Sequence, residues 1–247
     1  MRRLAFRFYW KMRDLIVPEL QNSQYTYYNA LKKLLKSSTV WLDLGCGHQV
    51  FGDWMMAQQA EVIASVRQVV GFELTLDSLR QHKGYRDKVL GGPGPLPFKD
   101  ESFDLITANM VVEHVEDPPA MLREVRRILK PNGALMFHTT NARNIFAQMA
   151  AKTPDALKKR IVFALDGRRE NDVFRTYYRL NDSSDIQAAA ESAGYEVGSV
   201  EQVSTSAITA MLGPVAIVEL LYLRLLRRPS LSHLRTNIIA VLRKPTA

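Results

Sequence analysis

Leu42-Asp43-Leu44-Gly45-Cys46-Gly47 joins a short apolar run to a glycine turn. With Val40 and Trp41 before it, the segment reads as a strand, Val40 to Leu44, followed by a turn that opens a helix over Gln49 to Met56. Glycine adopts positive φ without a Cβ penalty and lets a ligand approach the backbone closely. A lone Gly-x-Gly is also an ordinary structural turn, so the neighbouring residues decide its meaning. Val50 stands where a dinucleotide fingerprint needs its third glycine. Asp43 puts a carboxylate just before the turn, where it opposes a pyrophosphate but suits an ammonium or a sulfonium. Both features disfavour a nicotinamide-dependent oxidoreductase.

Outward from this turn, short apolar strands alternate with helices. Val69 to Phe72 is a second strand, ending at Glu73, followed by a helix over Thr75 to His82. Lys88 to Leu90 is a weak third strand and Phe103 to Ala108 a fourth. Pro118 to Leu129 is helical, with Leu122, Val125, Arg126 and Leu129 at i, i+3, i+4 and i+7. Lys130-Pro131-Asn132-Gly133 stops that helix, and Ala134 to His138 is a fifth strand. Ser183 to Ala193 is a helix capped by Asp182 or Ser183 and stopped by Gly194. Val197 to Val203 and Asn237 to Leu242 are the last strands, with a helical segment, Leu212 to Leu226, between them. This alternation predicts an α/β fold, a doubly wound, Rossmann-like sheet with helices on both faces. Such a sheet binds its ligand at the carboxyl ends of its strands, at the switch point between strands one and four.

A carboxylate at the end of strand two, Glu73, is placed to accept hydrogen bonds from both ribose hydroxyls, although strand-end acids are commonly solvated caps. Three further segments follow in order: Leu96-Pro97-Phe98-Lys99-Asp100-Glu101-Ser102-Phe103-Asp104, then Asn109 to Pro118 (NMVVEHVEDP), then Arg127-Ile128-Leu129-Lys130-Pro131-Asn132-Gly133. Taken together, Val40 to Asn141 resembles the class I S-adenosylmethionine-dependent methyltransferases, and within them the branch of the ubiquinone and menaquinone methyltransferases. The resemblance implies a methyltransferase with a mostly parallel sheet, an antiparallel last strand and S-adenosylmethionine as cofactor. It implies that Asp43, Gly45, Cys46 and Gly47 border the methionine part and the sugar. It also implies that Glu73 holds the ribose, that Leu74 packs on the adenine, that Leu96 belongs to the cofactor site, and that Asn109 lies beside the methionine end and the transferred methyl. The family usually carries an acidic residue a few positions before Leu-Pro-Phe; here Gly91-Gly92-Pro93-Gly94-Pro95 has none, which keeps a degenerate, binding-only relative as an alternative.

His114, after strand four, is the candidate general base for an acceptor that must lose a proton; a loop-supporting role competes with it. Cys46 reads as a small residue in a tight turn rather than a nucleophile. The five histidines show no ligand spacing, so no metal site is expected.

On the family pattern, residues 1–247 form a single methyltransferase domain. It carries a helical cover over 1–36 (a helix at Leu20 to Lys36), an insertion over 141–180 after strand five, and a helical insertion over 207–235. Acceptor choice is expected to lie in these parts, with Tyr177, Tyr178 and Arg179 as candidate acceptor contacts and a small molecule, lipid or glycan as acceptor. The formal net charge is +8, and the excess gathers at the periphery. Arg2, Arg3, Arg7, Lys11 and Arg13 interleave with Phe6, Phe8, Tyr9 and Trp10, while Arg224, Arg227, Arg228 and Arg235 follow the late leucine-rich segment. This pattern suits either an anionic membrane surface or a helix buried in the core or in a dimer beside solvated arginines; nucleic acid is disfavoured, since no reader motif is present. With one cysteine, no secretory-type apolar leader and no apolar run long enough to span a bilayer, the expected place is the cytoplasm, with a peripheral place at the inner membrane surface as an option.

Overall fold

The computed structural model describes residues 2–92, 94–153 and 175–246. They group into two compact units. The first comprises residues 1–26, 140–176 and 202–238; the second comprises 27–139, 177–201 and 239–247.

In chain order the helices are α1 (Arg2–Ile16), α2 (Ser23–Leu34), α3 (Met56–Ala64), α4 (Leu76–Gln81), α5 (Pro118–Ile128), α6 (Ile145–Lys152), α7 (Ser183–Ser192) and α8 (Ala216–Leu225). The strands are β1 (Val40–Leu44), β2 (Gln68–Glu73), β3 (Asp87–Leu90), β4 (Phe103–Asn109), β5 (Leu129–Thr140), β6 (Glu196–Val203) and β7 (Asn237–Arg243).

The seven strands form one sheet in the order β3-β2-β1-β4-β5-β7-β6. β1 pairs in parallel with β2, Val40 opposite Gln68, and with β4, Trp41 opposite Leu105. β2 with β3 and β4 with β5 are also parallel. β7 runs the other way: Asn132 N–H donates to the Lys244 carbonyl, whereas Asn141 N–H donates to that of Thr236, so one strand rises as the other falls. The sheet is thus the expected doubly wound one with an antiparallel last strand. β1 and β4 are adjacent although α3, β2, α4 and β3 separate them in sequence, which puts the switch point at their carboxyl ends.

The interior strands are buried along nearly their whole length, β1 through Trp41, Leu42 and Leu44 and β4 through Phe103, Leu105 and Ile106. That is why they read as continuous apolar runs rather than alternating ones. α5 begins where the sequence places it: the Asp117 carboxylate accepts from Ala120 N–H at 3.0 Å and Pro118 fills the first helical position. α7 is capped by Asp182, which accepts from Ser184 N–H.

Of the boundaries that differ from the sequence reading, two shift by five residues or more. The helix after the glycine turn begins only at Met56, after a 3-10 turn at Asp53–Met55. Residues 48–52 stay irregular because the Val50 N–H bonds to the Gln59 side chain rather than to helical backbone. β5 begins at Leu129, not at Ala134. Leu129 pairs with Phe103, and the register shifts before Leu105 meets Ala134. Lys130 to Gly133 is therefore an irregularity within the strand, with Asn132 in the left-handed region at φ 62°.

The first unit is helical. Tyr9 of α1 packs with Ala210, Ala216 and Leu220, and Val17 and Leu20 pack with Leu223 and Leu226. The middle of the expected insertion over 141–180, residues 154–174, lies outside the described residues.

Candidate functional site

The turn after β1 is hung on β2. The N–H groups of Gly45 and Cys46 both donate to the Phe72 carbonyl, at 2.8 and 3.0 Å. Gly45 and Gly47 sit at φ 70° and 55°. A Cβ on Gly45 would lie 2.5 Å from Val111 Cγ2, whereas one on Gly47 would meet nothing within 4 Å. Packing and conformation both require Gly45. Gly47 is required by conformation alone and leaves open space above the backbone.

Glu73 closes the other side of the turn and is only 7% exposed. Its Oε2 accepts from Gly47 N–H at 2.9 Å. Its Oε1 accepts from the N–H groups of Leu74 and Thr75, at 2.8 and 3.1 Å, and from the Thr75 hydroxyl at 3.2 Å. One carboxylate thus fixes the glycine turn and the entry to α4, where its charge also suits the helix N-terminus. Leu74, the next residue, is 48% exposed.

Asp43 is enclosed rather than presented to the turn. Thr107 donates to its Oδ1 at 2.8 Å and Tyr85 to its Oδ2 at 2.9 Å. Trp41 Nε1–H donates in turn to the Thr107 hydroxyl at 2.7 Å. Burial raises the carboxyl from its ordinary 3.8 to about 6; the two hydroxyl donors work against the rise and the Glu73 charge adds to it. The Tyr85 ring reaches this place because residue 71 is glycine: a Cβ there would stand 2.7 Å from Tyr85 Cδ2 and 2.8 Å from Cys46 Sγ. Cys46 is buried, and desolvation with the Asp43 and Glu73 charges pushes its thiol far up, so it has no nucleophilic character.

At the end of β4 the Asn109 amide is held at both ends. Its Nδ2 donates to the Val50 carbonyl at 2.9 Å, and its Oδ1 lies 2.9 Å from His138 Nδ1. Because Oδ1 can only accept, His138 must carry its proton on Nδ1. His138 is fully enclosed, stacks on Tyr27 at 5.6 Å, and is driven by burial down to about 3, so it stays neutral. After Asn109, Met110 takes φ 58° and the chain enters a 3-10 turn, Val112–His114. His114 is half-buried there.

The carbonyl of Glu113 in that turn accepts from Tyr177 N–H at 2.8 Å. The Arg179 guanidinium sits 5.6 Å over the Tyr177 ring and donates to the Glu116 carbonyl at 2.6 Å. Beneath, the Glu113 carboxylate accepts from Thr139, whose hydroxyl accepts from Asn181.

Residues 20–200 match the family model of a methyltransferase domain. The chain belongs to that family. It is 33% identical over 104 residues to a malonyl-[acyl-carrier protein] O-methyltransferase of Legionella pneumophila, 40% of this chain and 35% of that one. It is 33% identical over 111 residues to a demethylmenaquinone methyltransferase of Lactiplantibacillus plantarum, 41% of this chain and 45% of that one. Among solved structures it is similar in fold to an S-adenosylmethionine-dependent methyltransferase from Mesorhizobium loti. There the TM-score is 0.53 at 19% identity, over 87% of this chain and 96% of that one. The chain spans less than half the length of these two curated relatives.

Seen as a methyltransferase domain, the structure brings Asp43, Gly45, Cys46, Gly47 and Glu73 together around one turn, with Leu74 exposed beside it. Asn109 joins them through Val50. Leu96 is fixed by different partners: its N–H donates to Glu124 and its carbonyl accepts from Arg127, both on α5. Tyr177, Tyr178 and Arg179 border the turn that carries His114. Gln59, Tyr85, Thr107 and His138 hold the site in shape and went unread in the sequence, because each is a single residue whose partner lies in another element. Among the described residues no group of three or more His, Cys, Asp or Glu is placed to hold a metal ion.

Proposed function

We propose that this chain is a methyltransferase that transfers a methyl group from S-adenosylmethionine to an amphiphilic small-molecule, lipid or glycan acceptor. The observation that carries the reading is the Glu73 carboxylate beside the paired positive-φ glycines at the switch point of the sheet. The residues present fit the cofactor: Gly47 leaves its ligand side open, Glu73 sits at the carboxyl end of β2, and Leu74 offers an exposed apolar side chain directly after it. Glu73 would hold the ribose hydroxyls, Leu74 would cover the adenine, and Gly45 to Gly47 would border the sugar and methionine part. S-adenosylmethionine, when bound, supplies an electrophilic methyl group on a sulfonium sulfur.

Transfer from a sulfonium is a displacement that gains most from proximity and orientation. Asn109, locked between Val50 and His138, is suited to fix the methionine end. His114 would take a proton from an acceptor that has one to lose. The names of the relatives, which act on an acyl-carrier-bound malonyl group and on demethylmenaquinone, favour an acceptor with an apolar body and a small polar reacting end.

A second reading is a domain that binds the cofactor without transfer. It is favoured by Gly91 to Pro95, which offers no carboxylate for the adenine amino group. The test is incubation with methyl-labelled S-adenosylmethionine and extract split into lipid and aqueous fractions. Label in the lipid fraction supports the amphiphilic acceptor. Label only in the aqueous fraction moves the acceptor to a soluble molecule. Cofactor binding with label in neither supports the binding-only reading.

A further inference from the structure

The charge of the chain is divided between its two units. Read from the sequence, the residues of the second unit carry 16 Lys and Arg against 18 Asp and Glu; those of the first carry 17 against 7. All of the positive excess therefore belongs to the helical unit. Its acids among the described residues do little to offset that excess outside. Asp14 pairs with Arg13, Glu19 pairs with Arg227, and Glu219 is buried, accepting from the Tyr9 hydroxyl and the Ile208 N–H.

The same unit exposes apolar side chains in rows. α8 (AIVELLYLRL) is apolar almost all the way round. Ala216, Leu220 and Leu223 face the core against α1, while Val218, Leu221 and Leu225, on the opposite side, are 68%, 53% and 42% exposed. A helix of this kind needs an apolar environment on both sides. At the C-terminal end of the same helix Arg224, Arg227 and Arg228 are exposed, so basic side chains follow directly on the aliphatic row.

We propose that this face of the helical unit docks on an anionic lipid bilayer. α8, ten residues long, spans about 15 Å and cannot cross a hydrocarbon core of about 30 Å. It lies instead in the headgroup region, with its aliphatic row turned to the acyl chains and the arginines at its C-terminal end on the lipid phosphates. Charge argues against a second copy as the occupant, since two such faces repel. The aliphatic row argues against nucleic acid, because Val218, Leu221 and Leu225 give bases no stacking surface. The inference rests on this unit alone and does not depend on the methyltransferase reading.

The test is sedimentation of the full chain with vesicles of phosphatidylcholine, with and without about one-third phosphatidylserine, at about 50 and 500 mM salt. The expected result is binding to the anionic vesicles at low salt that weakens steeply at high salt. The exposed-site variant R224Q/R228Q should bind on the order of twentyfold to thirtyfold more weakly, about fivefold per charge. V218S/L221S should lose the salt-resistant part, with the unfolding midpoint of both variants unchanged. No binding to anionic vesicles at low salt overturns the proposal, as does wild-type binding by both variants. Dimers that V218S/L221S separates, without vesicle binding, make the face a self-association surface and overturn it. Tighter binding to duplex DNA than to vesicles also overturns it.

Discussion

In the sheet unit, polar side chains from distant strands meet at one turn and satisfy one another: Trp41 to Thr107 to Asp43 to Tyr85 on one side, and Glu73 across the backbone of Gly47, Leu74 and Thr75 on the other. In the helical unit, among the described residues, the buried Glu219 is held by hydroxyl and backbone donors, and basic side chains outnumber acidic ones on the outside. The first arrangement spends sequence on shaping a concave, specific site. The second leaves most of its charged side chains turned outward. A network of mutually bonded buried groups is costly to disturb, because each lost partner strands another, whereas an outward charge is cheap to remove. Substitutions should therefore rank by unit.

Gly45→Ala should have the largest effect. It combines a left-handed φ with a Cβ 2.5 Å from Val111, and should lose about 2–5 kcal/mol in urea unfolding. Gly47→Ala, with the same backbone demand and open space, should lose only about 1–2 kcal/mol while blocking the ligand side. Equal losses for the two would break the distinction between a packed and an open glycine.

Asp43 gives the next effect, and it depends on pH. Its carboxyl is raised from 3.8 to about 6 on folding, so the folded state holds the proton more tightly than the unfolded chain. Stability is then greatest below pH 4 as far as this group is concerned, and falls as pH rises towards 6, by about 3 kcal/mol. His138, held neutral with its value lowered to about 3, works in the opposite direction and costs stability as pH falls below about 6.5. The two are separated by unfolding Asp43→Asn beside the unchanged chain at pH 4 and pH 7. The variant should gain relative stability at pH 7, and a constant difference would remove the enclosed carboxylate from the account.

Glu73→Ala should weaken cofactor binding by about 1.5–3 kcal/mol and loosen the entry to α4, read by calorimetry and by thermal unfolding. In the helical unit, Glu19→Ala should give the smallest change. Its pair with Arg227 is exposed on both sides, and its loss should leave the unfolding midpoint nearly unchanged. A larger loss there would mean that the outward charges carry structure, against the contrast drawn between the units.

The sheet and its glycine turn were legible because their signals are contiguous. β1 is observed over Val40 to Leu44 as read, since an interior strand buried on both faces writes itself as an unbroken apolar run. Glu73 was legible by its place at a strand end. Tyr85 was not, since its hydroxyl meets Asp43 across 42 positions of sequence and nothing local marks it. The start of β5 was misplaced because Pro131-Asn132-Gly133 is turn chemistry that here serves a kink within a strand. α1 was read as a basic aromatic stretch within a helical cover. Its charges hid the row formed by Tyr9, Met12 and Ile16, which faces α8.

The central claim is that the turn between β1 and Glu73 holds S-adenosylmethionine rather than a dinucleotide. Titration calorimetry of the full chain with S-adenosylmethionine, S-adenosylhomocysteine and NAD measures this directly. The account predicts one-to-one binding of the first two, weakened at least about tenfold in Glu73→Ala, and no heat from NAD. Binding of NAD with none of S-adenosylmethionine or S-adenosylhomocysteine would contradict it.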